Sequence, residues 1–377
     1  MSDFVPKMDQ VQSVFRSVYN FDHGITTKGE FSIGPYRICV SDGSVLKDAI
    51  PHGVREVIGG GTFTSRGFEE SKVIELPAVP GKWMPTAVVE EHPSLNEPSI
   101  LAPGLPGNDG AYDLSLILTL LTGKHVAVGN GAEQSLPVIP GQQLVGLNFF
   151  KCSRLDWSKV QALPVAGGGE AIYALSLAMT STNAQIKVGM AAAALDTLVA
   201  RWRKLEKTDR YSKLVRKKFN EASKTFESKL AELEIDPKIV TDIMKRLPNM
   251  LGEAALSKLR AFLERFGMFP ENAPDEALTR LWWLNTIRNS VAHSASIRLD
   301  LAENVEASFR VAGSVALITE LICQVYILKY LLGIEDRVVD DAQQDVKEFF
   351  AFGTFRGQDV VTEDYEAFRL RLEADAE

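Results

Sequence analysis

The sequence predicts an α+β protein, with a β-rich N-terminal domain over residues 1–165, an all-α helical bundle over 170–335 and a helical extension over 336–377. Two observations carry this prediction. Of 17 prolines, 13 fall before residue 165, and 21 of 28 glycines fall before residue 170, so turns crowd the first half. Beyond that point the apolar residues change to a helical period.

In the first half, short apolar runs alternate with turn residues. "FSIGPYRICVSDG" (31–43), "GVREVIGGGTFTSRGF" (53–68), "SKVIELPAV" (71–79) and "GKHVAVGNG" (123–131) read as strands and hairpins. One helix interrupts them, "AYDLSLILTLLTG" over 111–123. "LPVAGGGEA" (163–171) reads as a linker or a domain edge and sets the expected domain boundary.

The second half opens with Leu195, Leu198, Val199, Trp202 and Leu205, which form one apolar stripe of a helix over 187–206. Val215, Phe219, Ala222, Phe226, Leu230 and Leu233 mark a second long helix. Shorter helices are expected at 237–247 and 251–266. "PDEALTRLWWLNTIRNSVAH" (274–293) begins with Pro274 and two acids, which suits a helix N-terminus. An apolar helix over 304–333 follows, stopped by Gly333. Two acidic segments, "DAQQDVKEFF" and "EDYEAFRLRLEADAE", read as solvated helices of the extension.

Composition excludes several classes. The 41 Lys+Arg against 49 Asp+Glu give a net charge of −8, so bulk charge gives no reason to expect nucleic-acid binding. Cys39, Cys152 and Cys323 lie far apart, which argues against a disulfide framework or zinc ribbon and fits a reducing cytosol. "MSDFVPKMDQ" lacks a basic-then-apolar signal pattern, and the apolar stretch 311–333 is broken by Glu320, Gln324 and Lys329. A cytoplasmic protein without a membrane span is therefore expected. No glycine-rich stretch has the spacing of a phosphate loop, and no serine sits in a Gly-x-Ser-x-Gly elbow. His23, His52, His92, His125 and His293 form no close pair, so neither a metal nor a cofactor is expected.

One stretch stands out. Arg288-Asn289-Ser290-Val291-Ala292-His293 ends the helix that precedes the last long helix of the bundle, and His293 is the only histidine after residue 125. Positions 289 and 293 share a helix face. Arg288 is about 100° round from Asn289, within reach of a long side chain. Trp283, Leu284, Ile287 and Val291 are placed to pack inward. Cations and histidine are also common at ordinary helix C-termini.

This Arg-polar-x-x-x-His pattern, at the end of a helix in an all-α bundle behind a turn-rich domain, resembles the HEPN superfamily, most closely the ApeA-type HEPN proteins of bacterial antiviral defence. The resemblance covers about residues 170–335. Ser294 departs from it, because a glycine often follows the histidine in that family. The resemblance implies a metal-independent endoribonuclease, with Arg288 and His293 as the catalytic pair and Asn289 orienting one of them or a phosphate oxygen. The chemistry agrees. RNA carries its own 2′-hydroxyl nucleophile, so cleavage needs an acid–base group near neutrality and positive charge on the phosphate. Imidazole supplies the first, and guanidinium supplies the second with two parallel donors. One histidine per chain, together with the family's facing motifs, implies a homodimer through the motif-bearing helices.

Residues 201–229 hold 11 Lys+Arg against four acids. Lys213, Arg216, Lys217 and Lys218 are the candidate RNA-binding residues, although the same residues would equally suit a solvated helix surface. The expected function is a regulated toxin or antiviral effector that cleaves RNA. Its N-terminal domain would respond to a phage-derived or protein trigger. The alternative is a HEPN-like module that binds nucleotide or RNA, or dimerises, without cleavage.

Overall fold

The structure, a computed structural model, describes residues 15–21, 29–40, 45–47, 56–58, 61–66, 71–76, 85–105, 107–123, 125–129, 145–147, 152, 154–181, 183–206, 213–233, 235–250, 255–294, 305–355 and 358–359. Within these elements it includes only the backbone of 29, 40, 213–216, 242, 245–250, 292–294, 305–308, 310, 358–359 and the strands between 45 and 76. The expected helix over 363–377 lies outside the described residues.

The architecture is α+β, with an N-terminal antiparallel sheet and a mainly helical remainder. β1 (Phe15–Tyr19), β2 (Gly29–Ile33) and β3 (Tyr36–Val40) are followed by two separate hairpins. These are β4 (Val45–Lys47) with β5 (Glu56–Ile58), and β6 (Gly61–Arg66) with β7 (Ser71–Leu76). β8 (Ala87–Glu90) and β9 (Ala127–Val128) complete a five-stranded sheet in the order β2-β3-β8-β1-β9. β1 and β8 are not evident from sequence alternation. "FRSVY" and "AVVE" are too short to show a period until they pair, Val18 opposite Ala87 and Phe15 opposite Glu90.

α1 (Gly110–Thr122) backs this sheet. Asp109 caps its first turn by accepting from the Tyr112 amide, and Gly123 at φ +67° closes it. α2 (Trp157–Ala162) and α3 (Gly168–Thr180) follow. The expected linker at 163–171 is instead a tight turn running straight into α3. The amides of Gly167 and Gly168 donate back to the carbonyls of Pro164 and Leu163. Glycine is required there by contact rather than by flexibility, because a Cβ on Gly169 would stand 2.5 Å from the Leu101 carbonyl oxygen.

The helical remainder comprises α4 (Ala184–Glu206), α5 (Lys213–Glu232), α6 (Pro237–Met250), α7 (Ala255–Arg265), α8 (Asp275–Ser294), α9 (Val305–Val325) and α10 (Arg337–Phe352). A short pair, β10 (Thr354–Phe355) and β11 (Gln358–Asp359), follows. α9 continues into a π-helical turn over Tyr326–Leu331. α4 is the central helix, packed on α3, α8 and α9. Its buried Leu195, Leu198, Val199 and Trp202 reproduce the apolar stripe expected from sequence, whereas Leu205 at its end is exposed.

A single apolar core runs from the sheet (Val18, Ile38, Val89) through α1 and α3 to the helices around α4. Gln324 of α9 ties the two halves together, its side-chain amide donating to the carbonyls of Leu120 (2.7 Å) and Val145 (3.1 Å). Among the described residues one helical stretch, Val311–Leu331, is long and apolar enough to cross a membrane. However, 83% of its most apolar window is buried inside the protein, as in a core helix.

Candidate functional site

α8 carries the Arg288–His293 stretch and is packed on several sides, against α4, α7, α9 and α10. Trp283, Leu284, Ile287 and Val291 are buried as expected. So are two polar residues on the same helix, Asn285 and Arg288, the latter only 2% exposed.

Arg288 therefore does not lean out along the Asn289–His293 face. It turns inward. Its Nη2 donates to Asn285 Oδ1 at 3.1 Å, one turn back along the helix. Its Nη1 stands 3.1 Å from Asp196 Oδ1 on α4. The Asp196 side chain is 59% exposed, so the ion pair runs from the core to the surface. Among the described residues Nε of Arg288 makes no hydrogen bond, and Nη1 has only the ion-pair contact with Asp196. Burial pulls the guanidinium pKa below its ordinary value, while Asp196 and then Cys323 pull it back up.

Cys323 and Glu320, one turn apart on α9, extend this polar layer. Glu320 is 1% exposed and sits 3.6 Å from Lys187 Nζ of α4, with Oε1 making no hydrogen bond among the described residues. Burial pushes its carboxyl up to about 7, against the opposing pull of Lys187. Burial also pushes the Cys323 thiol up, against the pull of Arg288. Two charged pairs, Lys187–Glu320 and Asp196–Arg288, thus sit in the seam among α4, α8 and α9.

Asn289 and Ser290 are half-buried beside Arg288, and the Ser290 hydroxyl donates to the Ile287 carbonyl at 2.8 Å. His293 lies in the last turn of α8, with its side chain outside the described residues. Of the expected RNA-binding residues, Lys217 and Lys218 are exposed on α5, and Lys217 stands 4.0 Å from Glu221. The side chains of Lys213 and Arg216 lie outside the described residues. α5 packs mainly on α6, so this surface belongs to a different part of the protein from the packed seam. Among the described residues, no cluster of His, Cys, Asp and Glu could hold a metal.

Sequence reasoning missed Asp196, Asn285, Lys187 and Glu320 as members of the site. A signal existed for two of them. Asp196 is the one acid in "AAAALDTLVA", and Glu320 interrupts the long apolar stretch of α9. A charge inside an apolar run is expensive to bury and calls for a partner.

Chemically, the seam holds a fixed cation whose donor fork is only partly filled. Guanidinium donors without acceptors suit the paired oxygens of a phosphate or carboxylate. No protein-family profile, characterised protein or solved structure matches the chain.

Proposed function

We propose that the protein is a metal-independent endoribonuclease with a HEPN-like helical half, acting in the cytoplasm as a regulated toxin or antiviral effector. The observation that carries this reading is the Arg288 guanidinium, anchored by Asn285 and Asp196 with Nε making no hydrogen bond among the described residues, beside Asn289 on the helix whose last turn holds His293.

In this reading the Arg288 fork takes the phosphoryl oxygens and stabilises the charge that builds as the 2′-oxygen attacks phosphorus. His293 removes the 2′-hydroxyl proton, and a histidine from a second copy protonates the departing 5′-oxygen. Product ends are a 2′,3′-cyclic phosphate and a 5′-hydroxyl. Because Arg288 is 2% exposed, substrate engagement requires the seam to open at its Asp196 side, where the acid already faces solvent. That requirement gives a place for restraint. A trigger bound by the N-terminal half, which shares one core with the bundle, would act through it.

Burial of Arg288 specifically favours a second reading, a HEPN-like module that dimerises or binds nucleotide without cleavage, with Arg288 serving as a brace between helices. One experiment separates the two. Purified protein and His293→Ala are incubated with total tRNA and mRNA in EDTA, and product ends are mapped. Cleavage by the parent alone, leaving cyclic phosphates, supports the nuclease. Equal cleavage by both removes His293 from the chemistry. No cleavage by either, together with nucleotide binding that Arg288→Met abolishes, supports the second reading.

A further inference from the structure

α5 and α6 form a helical hairpin whose principal packing is between its own two helices. Among the described side chains of α5 Leu230 is the buried apolar one, whereas Phe226 is 42% exposed, Leu233 just past its end is 70% exposed, and Ile239 of α6 is 53% exposed. Phe219, Ile243 and Met244 are half-buried. Two isolated helices cannot close such a seam, and the stable arrangement of amphipathic helices covers every stripe, as in a four-helix bundle.

The sequence of α5 indicates what covers it. Its stripe positions 215, 219, 222, 226, 230 and 233 are nearly symmetric about residue 224: Val215 answers Leu233, Phe219 answers Leu230 and Ala222 answers Phe226. An antiparallel second copy of α5 would therefore meet apolar residues at every level, with the large Phe226 opposite the small Ala222. Charge agrees with this direction. Lys213, Arg216, Lys217 and Lys218 crowd the N-terminal end without an acid, whereas from 219 to 234 Glu221, Glu227, Glu232 and Glu234 outnumber Lys224 and Lys229. Antiparallel pairing opposes the unlike ends, and parallel pairing would oppose like ends.

We propose that the α5–α6 hairpin is a self-association surface, pairing with the hairpin of a second copy in an antiparallel, two-fold arrangement. This contact is distinct from any pairing of the α8 helices and does not depend on the nuclease reading. Lys217 lies about 180° round α5 from Phe226, so it stays outside the paired stripe.

The test is the solution mass of the full chain by light scattering at tens of micromolar, alongside the Phe226→Glu/Leu233→Glu variant. Both side chains are exposed, so the circular dichroism and melting temperature of the variant should match the parent. The expected result is that the variant has half the parent's mass, with the dissociation constant of that contact raised by at least about 100-fold. Two charge variants report direction. Lys218→Glu and Glu232→Lys, both flanking the stripe on the same side, should each lose mass alone and regain it when mixed. A parent that is a single chain throughout, or a variant with unchanged mass, overturns the proposal. A mixture no larger than its components overturns the antiparallel pairing. A single-chain parent whose RNA affinity depends on Lys217 and Lys218 would assign this face to nucleic acid instead.

Discussion

Replacing Glu320 by glutamine should stabilise the protein, and do so more strongly as pH rises. Glu320 is 1% exposed, one of its oxygens makes no hydrogen bond among the described residues, and Lys187 is 3.6 Å away. Its folded pKa of about 7 lies above the value of about 4.5 that it takes in the unfolded chain. The sign follows from linkage. The native state binds the proton more tightly, so Glu320 costs nothing below the unfolded pKa. Stability is then lost as pH climbs through the folded value. Integrated over that window, the cost is about 1 kcal/mol at pH 5.5 and about 3 kcal/mol at pH 8.5. Glutamine keeps the shape and does not titrate. In urea unfolding, Glu320→Gln should therefore gain on the parent by about 2 kcal/mol more at pH 8.5 than at pH 5.5. The difference between the two proteins is the readout, because other groups titrate equally in both. A difference that is flat across this range, or that shrinks toward alkaline pH, would mean that Glu320 stays ionised and well solvated, and the buried-carboxyl argument would fail.

The Arg288 pair makes two further predictions. Arg288→Met keeps the apolar stem and removes a charge with unfilled donors, so chemical denaturation should show a change within about 1 kcal/mol, or a gain, while any RNA cleavage is lost. Asp196→Asn leaves Arg288 buried beside a neutral partner and should cost about 1–2 kcal/mol, discounted because the Asp196 side chain is 59% exposed. Gln324→Leu would strand the Leu120 and Val145 carbonyls that it bonds, so thermal unfolding should show a loss of about 2–3 kcal/mol. Gly169→Ala places a methyl 2.5 Å from the Leu101 carbonyl oxygen, and a loss of about 1–3 kcal/mol by calorimetry is expected.

The sequence by itself determined most of the helices and part of the strand pattern, but α2 and α3 were not read from it. Residues spaced at three and four positions, as in Leu195, Leu198, Val199 and Trp202, form a stripe whatever they pack against, because the 3.6-residue period is a property of the backbone. The Asp109 cap and the Gly123 stop are likewise local. β1 and β8 were not legible, because a strand of four or five residues acquires its identity from its partners. Nor was the turn at 163–171. Three consecutive glycines look like a flexible linker until Leu101 and Leu163 are seen pressed against them.

The candidate site divides in the same way. Sequence spacing put Arg288, Asn289 and His293 near the end of one helix, and that helix forms over Asp275–Ser294. Whether Arg288 faces solvent or the seam depends on which helices surround α8, and tertiary packing turned it toward Asp196 of α4 and Cys323 of α9. Asp196 and Arg288 are 92 positions apart in the chain, and no local period relates residues at that separation. Only the packing of three helices joins them, and only there does burial make a partly filled guanidinium and a carboxyl with a pKa of about 7 chemically distinct from their surface counterparts.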